Sequence, residues 1–328
     1  MSVGTNWAGY HEYRADTLHR PTTVEQLRDI VATAPRIRAL GTRHSFNDLA
    51  DSAELVSLEG IDPGIVIDPD TETVSFSAGL RYGDLATVLQ DAGWALRNLA
   101  SLPHISVAGA IATGTHGSGD RNGNLSRAVS GLEFVTASGE LRSITPVDPD
   151  FDGAVVALGA LGVLSRVTLD IEPTFTVRQD VYQGLGWSAL LDNFDAITSR
   201  AYSVSVFTEW QQITSVWLKS RMDAAKPPQD LFGAKPFIAS THMIADMPAS
   251  NTTVQGGVPG PWNERLAHFK LGFTPSNGDE LQTEYLVPRR FAVQAVEAIR
   301  ALADRITPHL HVTELRTMAA DSLWLSGA

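Results

Sequence analysis

The chain has 328 residues, 43% of them hydrophobic and 19% charged, a composition that suits a globular protein of about two domains. Lys and Arg total 25 against 37 Asp and Glu, for a net charge of −12 without a basic run, which disfavours nucleic-acid partners and adhesion to anionic membranes. Cysteine is absent, which excludes a disulfide framework, a Cys-ligated zinc or iron–sulfur centre and a thiol nucleophile.

The first half of the chain reads as short strands with a few helices. Thr22 and Glu25 have capping-box spacing, and Leu27, Ile30 and Val31 share one helical face, so a helix should run to Ala34-Pro35. Ile37–Leu40 reads as a strand that stops at Gly41. Glu54–Leu58, Gly64–Ile67 and Thr73–Ser77 read as further strands with turn residues between them. Tyr82–Ala92 reads as a helix with Gly93 as its stop. Leu132–Thr136 and Leu141–Ile144 flank a turn and predict a hairpin. Val163–Ile171 closes this half, and Glu172-Pro173 marks a boundary.

Tyr202–Trp210 and Thr214–Lys219 read as strands, and residues 223–262 as a proline-rich irregular excursion. Leu281–Leu286 is expected as a strand and Arg290–Ile306 as one helix, with Val293, Val296, Ile299, Leu302 and Ile306 on its buried side. His311–Thr317 is the last expected strand. No apolar run reaches the ~18 residues of a membrane span, and the N-terminus carries no apolar leader core, so a cytoplasmic monomer is expected.

Three segments carry chemistry. Arg38-Ala39-Leu40-Gly41-Thr42-Arg43-His44-Ser45-Phe46-Asn47 runs from a strand into a Gly-led loop, a form that presents backbone N–H groups to an anion. From Ser106 to Gly119 almost every side chain is small. No helix or strand needs that composition for packing, and it suits a backbone lying against a ligand. Its glycines do not match the dinucleotide G-x-G-x-x-G pattern, and there is no Walker loop. The third segment is Ala157-Leu158-Gly159-Ala160-Leu161-Gly162-Val163-Leu164. Late in the chain, Glu314 and Arg316 are two apart and share a strand face; spacing alone would make them a surface ion pair.

In this order these segments resemble the vanillyl-alcohol-oxidase type (PCMH-type) FAD-binding domain. Gly-Thr-Arg-His-Ser-Phe-Asn, Ala-Ser-Leu-Pro-His-Ile-Ser-Val-Ala-Gly and Thr-Gly-Thr-His-Gly-Ser-Gly more narrowly resemble the alditol oxidases, which act on xylitol or sorbitol. The resemblance implies an α+β fold of two domains. Residues 1–173 would form the FAD-binding domain, and 174–328 a substrate domain built on an antiparallel sheet. It implies FAD bonded covalently through His44, with Gly41, Thr42, Arg43, Ser45, Phe46 and Asn47 around the pyrophosphate. Ser106, Gly109, Ala110, Ile111, Ala112, Gly114, Thr115, His116, Gly117 and Val163 would contact the rest of the cofactor.

Ser101, Glu314 and Arg316 would form the catalytic substrate side, with a small polyol and O2 as reactants and H2O2 as product. Relatives carry a further C-terminal segment that supplies a His and a Lys to the pocket, so flavin binding is the firmer expectation and turnover the weaker one. Two alternatives stay open: a sugar-lactone oxidase or dehydrogenase of the same superfamily, and a flavin-binding protein without turnover. No metal is expected, because neither His309 with His311 nor His104 with His116 has an acidic residue to complete a ligand set.

Overall fold

The computed structural model describes residues 3–273 and 280–328. The chain opens with β1 (Thr17–His19), a helix α1 (Val24–Thr33), β2 (Ile37–Ala39) and β3 (Glu54–Val56). The three strands form a parallel sheet in the order β1-β3-β2. The capping box sits one residue later than its spacing suggests. Thr23 is the N-cap and accepts from the Gln26 N–H at 3.2 Å, while Gln26 Oε1 accepts from the Thr22 N–H at 2.8 Å. Gln serves this position as well as Glu does, so the register was ambiguous in the sequence.

A second, antiparallel sheet is built from β4 (Val66–Asp68), β5 (Thr73–Ser77), β6 (Val129–Val135), β7 (Leu141–Ile144) and β8 (Val163–Asp170). Its order is β4-β5-β8-β6-β7, and the expected hairpin is β6-β7. Strand β8 alternates buried and half-exposed residues along its whole length, the period-two pattern of a sheet covered on one face. Helix α2 (Tyr82–Asp91) packs Leu85, Ala86 and Leu89 into the first core and ends at Gly93, whose φ of +83° lets the chain turn away.

The third sheet contains β9 (Thr176–Gln183), β10 (Ser203–Thr208), β11 (Ile213–Arg221), β12 (Lys235–Phe237) and β13 (Thr313–Arg316). It runs β12-β9-β11-β10-β13, all antiparallel, with a further two-residue strand at Gly260–Pro261 on β9. Strand β9 was not legible in the sequence. The strands of the first two sheets come from residues 17–170 and those of the third from 176–316. The first core still takes in Val177, Trp262 and Leu266 from the second half.

Two expectations for the late chain do not hold. Leu281–Leu286 forms no strand: the segment is irregular and mostly exposed, and it finds no ladder partner. The helix expected over Arg290–Ile306 is divided into a 3-10 turn, Ala292–Arg300 and Ala303–Ile306. Only Val296 is fully buried; Ile299 and Leu302 are exposed, and the break lets Ala303 and Ile306 pack on the second core.

Candidate FAD and substrate site

Strand β2 delivers the chain to Gly41. A Cβ there would collide with Ser106 Oγ, so the close approach of the two loops requires glycine. Thr42 Oγ1 accepts the Ser106 N–H at 2.9 Å and lies 3.0 Å from His44 Nδ1. Arg43 has a φ of +65°, an uncommon conformation for a side-chain-bearing residue. Its guanidinium donates to the Val3 carbonyl at 2.8 Å. The Trp7 N–H donates to the Arg43 carbonyl, Asn6 Nδ2 donates to the Ser45 carbonyl, and the Trp7 ring stacks on His44 with centroids 5.2 Å apart. Asn47 Oδ1 closes the loop by accepting from the Leu49 N–H.

The N-terminal segment therefore clamps the loop into one shape. Within it, His44 Nε2 is buried without a hydrogen-bond partner, a condition that calls for a ligand. Burial, with a smaller contribution from His104, pushes the His44 pKa down to about 4, so the imidazole is neutral at pH 7.

The small-residue segment contains a helix that its composition did not mark. Val107–Ala112 forms the six-residue helix α3, with Ser106 at its N-cap position. Val107 and Ile111, four apart, anchor it in the core. Gly109 and Ala112, with Ser106 and Ala110, line the cleft instead. Gly114 follows in the left-handed region at +66°, where it terminates the helix. Ile111 is 0% exposed and turned into the core, and Gly117 lies outside the cleft lining against the Leu99 carbonyl and Asn98. Thr115, His116 and Val163 line the cleft, as do Thr42, Arg43, His44, Ser45, Phe46 and Asn47.

The substrate-side residues arrive on β13, which pairs with β10 so that Glu314 lies opposite Phe207 and Arg316 opposite Ser205. The Gly119 N–H donates to the Thr317 carbonyl at 2.8 Å, and the Ala319 N–H to the Asn122 carbonyl at 2.9 Å. These bonds lock the end of the small-residue segment onto the end of β13. Glu314 and Arg316 are not a surface pair: their side chains are 18% and 14% exposed, 3.6 Å apart, inside the same cleft as His44. Ser101 also lines the cleft. Its carbonyl accepts from the His268 and Phe269 N–H groups.

Three residues outside the sequence reading complete this side. Glu284 Oε1 lies 2.8 Å from His116 Nε2 and accepts from Arg316 at 3.0 Å. Its pKa falls to about 2, through the His116 hydrogen bond first and the Arg316 charge after it. His268 Nε2 is 3.0 Å from Glu314 Oε1, and Lys219 Nζ is 3.0 Å from His268 Nδ1. Glu314 is held well below the usual carboxylate range by Arg316 and His268, against the opposing effect of its burial. Glu284 and His268 come from irregular stretches without periodicity. Lys219 did carry a signal, as a charge directly after the apolar run Val216-Trp217-Leu218.

The His268 pKa is pushed down to about 4 by burial and then by the Lys219 charge, from 6.5 in a free histidine. A base whose folded pKa is depressed favours the unfolded chain as pH falls. Stability from this group is full above about pH 7 and declines from there down to about pH 4. The loss by pH 5 is on the order of 2 kcal/mol. Urea unfolding at pH 7 and pH 5 of the parent and of His268→Gln checks this; the variant should lose less stability across that interval.

A model of FAD-binding domains matches residues 15–145. An alditol oxidase from a Streptomyces species is 46% identical over 327 residues, covering 98% of this chain and 78% of that protein. The chain belongs to the alditol oxidase family. An L-gulono-1,4-lactone dehydrogenase from Mycobacterium tuberculosis is similar at 36% identity over 182 residues, 54% of this family member and 42% of the dehydrogenase. Among solved structures, cholesterol oxidase from B. sterolicum shares the fold, with a TM-score of 0.61 at 20% identity, over 70% of this chain and 48% of that one.

The site of this alditol oxidase family member fits FAD. The cleft has a volume of about 2740 Å³, well beyond the ~300–1,000 Å³ of a small-ligand pocket. It offers the unpartnered nitrogen of His44, the glycine-dependent approach at Gly41 and a wall of small residues. No helix among the described residues is long and apolar enough to cross a membrane.

Proposed function

We propose that this protein oxidises the terminal primary hydroxyl of an alditol such as xylitol or sorbitol to the aldose, with O2 reduced to H2O2. The supporting observation is the placement of Glu314 and Arg316 in one cleft with the His44 loop, in a chain that matches an alditol oxidase over nearly its whole length. Bound FAD supplies the hydride acceptor and the route for electrons to O2.

The chain's own residues bind and orient. The Gly41–Asn47 loop, Ser106, Gly109, Ala110, Ala112, Gly114, Thr115, His116 and Val163 hold the cofactor, while Ile111 and Gly117 stand behind this wall. Ser101, whose carbonyl is already engaged, keeps its hydroxyl for the polyol. Glu314 accepts polyol hydroxyl hydrogens, and Arg316 fixes a positive charge where negative charge develops. Sugar-lactone oxidation is the second reading, supported by the 36% match, which reaches 54% of the chain. A cytoplasmic, monomeric protein belongs to the same proposal and rests on the acidic, cysteine-free composition.

Anaerobic addition of xylitol to the holoprotein tests the reading, and the flavin should bleach. A flavin bleached by a lactone but not by xylitol would move the assignment to the second reading. One bleached by neither would leave a cofactor-binding protein without this turnover.

The proposal includes covalent attachment at His44, supported by a neutral, buried imidazole with one nitrogen free of protein partners. Acid precipitation should leave yellow colour in the pellet, and His44→Ala should release all flavin to the supernatant. A colourless pellet from the parent protein would end the covalent claim without touching non-covalent binding.

A further inference from the structure

Behind Glu314, away from the cofactor loop, lies a buried lysine that the proposed chemistry does not use. Lys219 is 1% exposed, toward the end of β11, and burial pushes its pKa down to about 7. Its Nζ meets the Leu266 carbonyl at 2.5 Å, the Ala267 carbonyl at 2.9 Å and His268 Nδ1 at 3.0 Å. The Glu314 carboxylate can only accept, so Nε2 of His268, 3.0 Å from its Oε1, carries the proton of the neutral ring. Nδ1 is then an acceptor, and with the two carbonyls it gives Lys219 Nζ three acceptors, the set that suits the three donors of its ammonium form.

The ring is also fixed in orientation. The His268 ring meets Trp217 edge-to-face at 5.3 Å and Phe207 at 5.7 Å, and its backbone N–H is held by the Ser101 carbonyl. Glu314 thus has one oxygen held from behind by His268 and the other 3.6 Å from Arg316.

We propose that Lys219 and His268 form a positioning relay for Glu314. Lys219 holds the His268 ring at Nδ1, and the Nε2–H of His268 holds the Glu314 carboxylate in the orientation that receives the polyol. The proposal rests on the substrate role given to Glu314 above. His268 and Lys219 are positioning residues, since each is assigned to act on the polyol through Glu314. Without the Lys219 donor, Nδ1 becomes a buried acceptor that has lost its partner, and the ring loses the contact that fixes it behind Glu314. Arg316, 3.6 Å from the other oxygen, would then be left to hold the carboxylate.

The first test needs no turnover. Two-bond nitrogen–proton NMR correlation of protein labelled with 15N-histidine reads the tautomer of His268, assigned by the signal lost in His268→Gln. The Nε2–H pattern is expected in the parent at pH 7, and in Lys219→Met a displaced Nδ1 resonance as that nitrogen loses its donor. An Nδ1–H ring or an imidazolium in the parent would overturn the relay, even if every variant failed to fold.

The second test is anaerobic flavin reduction by xylitol at equal flavin content. Lys219→Met should slow it about 10–100-fold, the usual effect of removing a group that orients a reacting one. Lys219→Gln keeps one donor for Nδ1 and should recover part of the rate. A purely structural lysine would lower thermal stability in both variants alike and leave the reduction rate at the parent value, and that outcome overturns the relay. A parent holoprotein that no polyol reduces would remove the proposed function instead, and the tautomer measurement would still decide the relay.

Discussion

Arg316→Ala should bind flavin normally and reduce it with xylitol about 10²–10³-fold more slowly. The variant removes a fixed positive charge from the cleft, and the loss of one such preorganised contact costs about 3–4 kcal/mol at the transition state. The fold should tolerate the change. Of the two carboxylates beside Arg316, Glu284 keeps His116 at 2.8 Å and Glu314 keeps His268 at 3.0 Å. Glu314→Gln preserves shape and one accepting oxygen but removes the charge, so its effect should fall on both polyol KM and reduction rate. A solvent-exposed pair would contribute about 0–1 kcal/mol to stability and nothing to rate. Stopped-flow reduction of Arg316→Ala at the parent rate would return the pair to that bland role.

Gly114→Val should fold and contain no flavin. The residue sits at φ +66°, and the nearest atom to an added Cβ is Val156 Cγ1 at 3.7 Å. Collision with the protein is therefore not the obstacle. A left-handed conformation costs a residue with a Cβ about 1–2 kcal/mol, and a β-branched side chain more. The larger effect comes from the ligand side, since Gly114 is part of the cleft wall. Gly114→Ala separates the two effects: it carries most of the backbone strain with a single methyl group and should keep part of the flavin. Parent flavin content in a folded Gly114→Val protein would show that the cofactor does not approach there.

Much of one wall of the cleft could be read from residues alone because it is built from what the side chains lack. A run of small residues from Ser106 to Gly119, or a glycine opposite Ser106, leaves a visible mark in composition. The same smallness hid helix α3, whose stability comes from two buried anchors rather than from an amphipathic pattern. At β13 the spacing of two charges along a strand suggested only a surface pair, and the resemblance alone placed Glu314 and Arg316, with Ser101, on the substrate side. Glu284 and His268 reach the site from irregular backbone, and no period or motif marks such positions. Their roles come from tertiary approach across separations of 32 residues to Arg316 and 46 to Glu314. Strand β9 escaped notice because Thr176–Gln183 mixes charged and apolar residues, Arg178 and Asp180 pairing with each other along it.

The bonds between Gly119 and Thr317 and between Asn122 and Ala319 set an order on biosynthesis. Synthesis proceeds from the N-terminus at about 5–20 residues per second, and early units fold first. The His44 loop and helix α3 therefore emerge and can pack well before residues 313–319 leave the ribosome. During that interval the nascent protein holds the cofactor wall of the cleft but not Glu314 or Arg316. The two ends of the cleft are therefore joined last, when β13 pairs with β10 and its end bonds to Gly119 and Asn122.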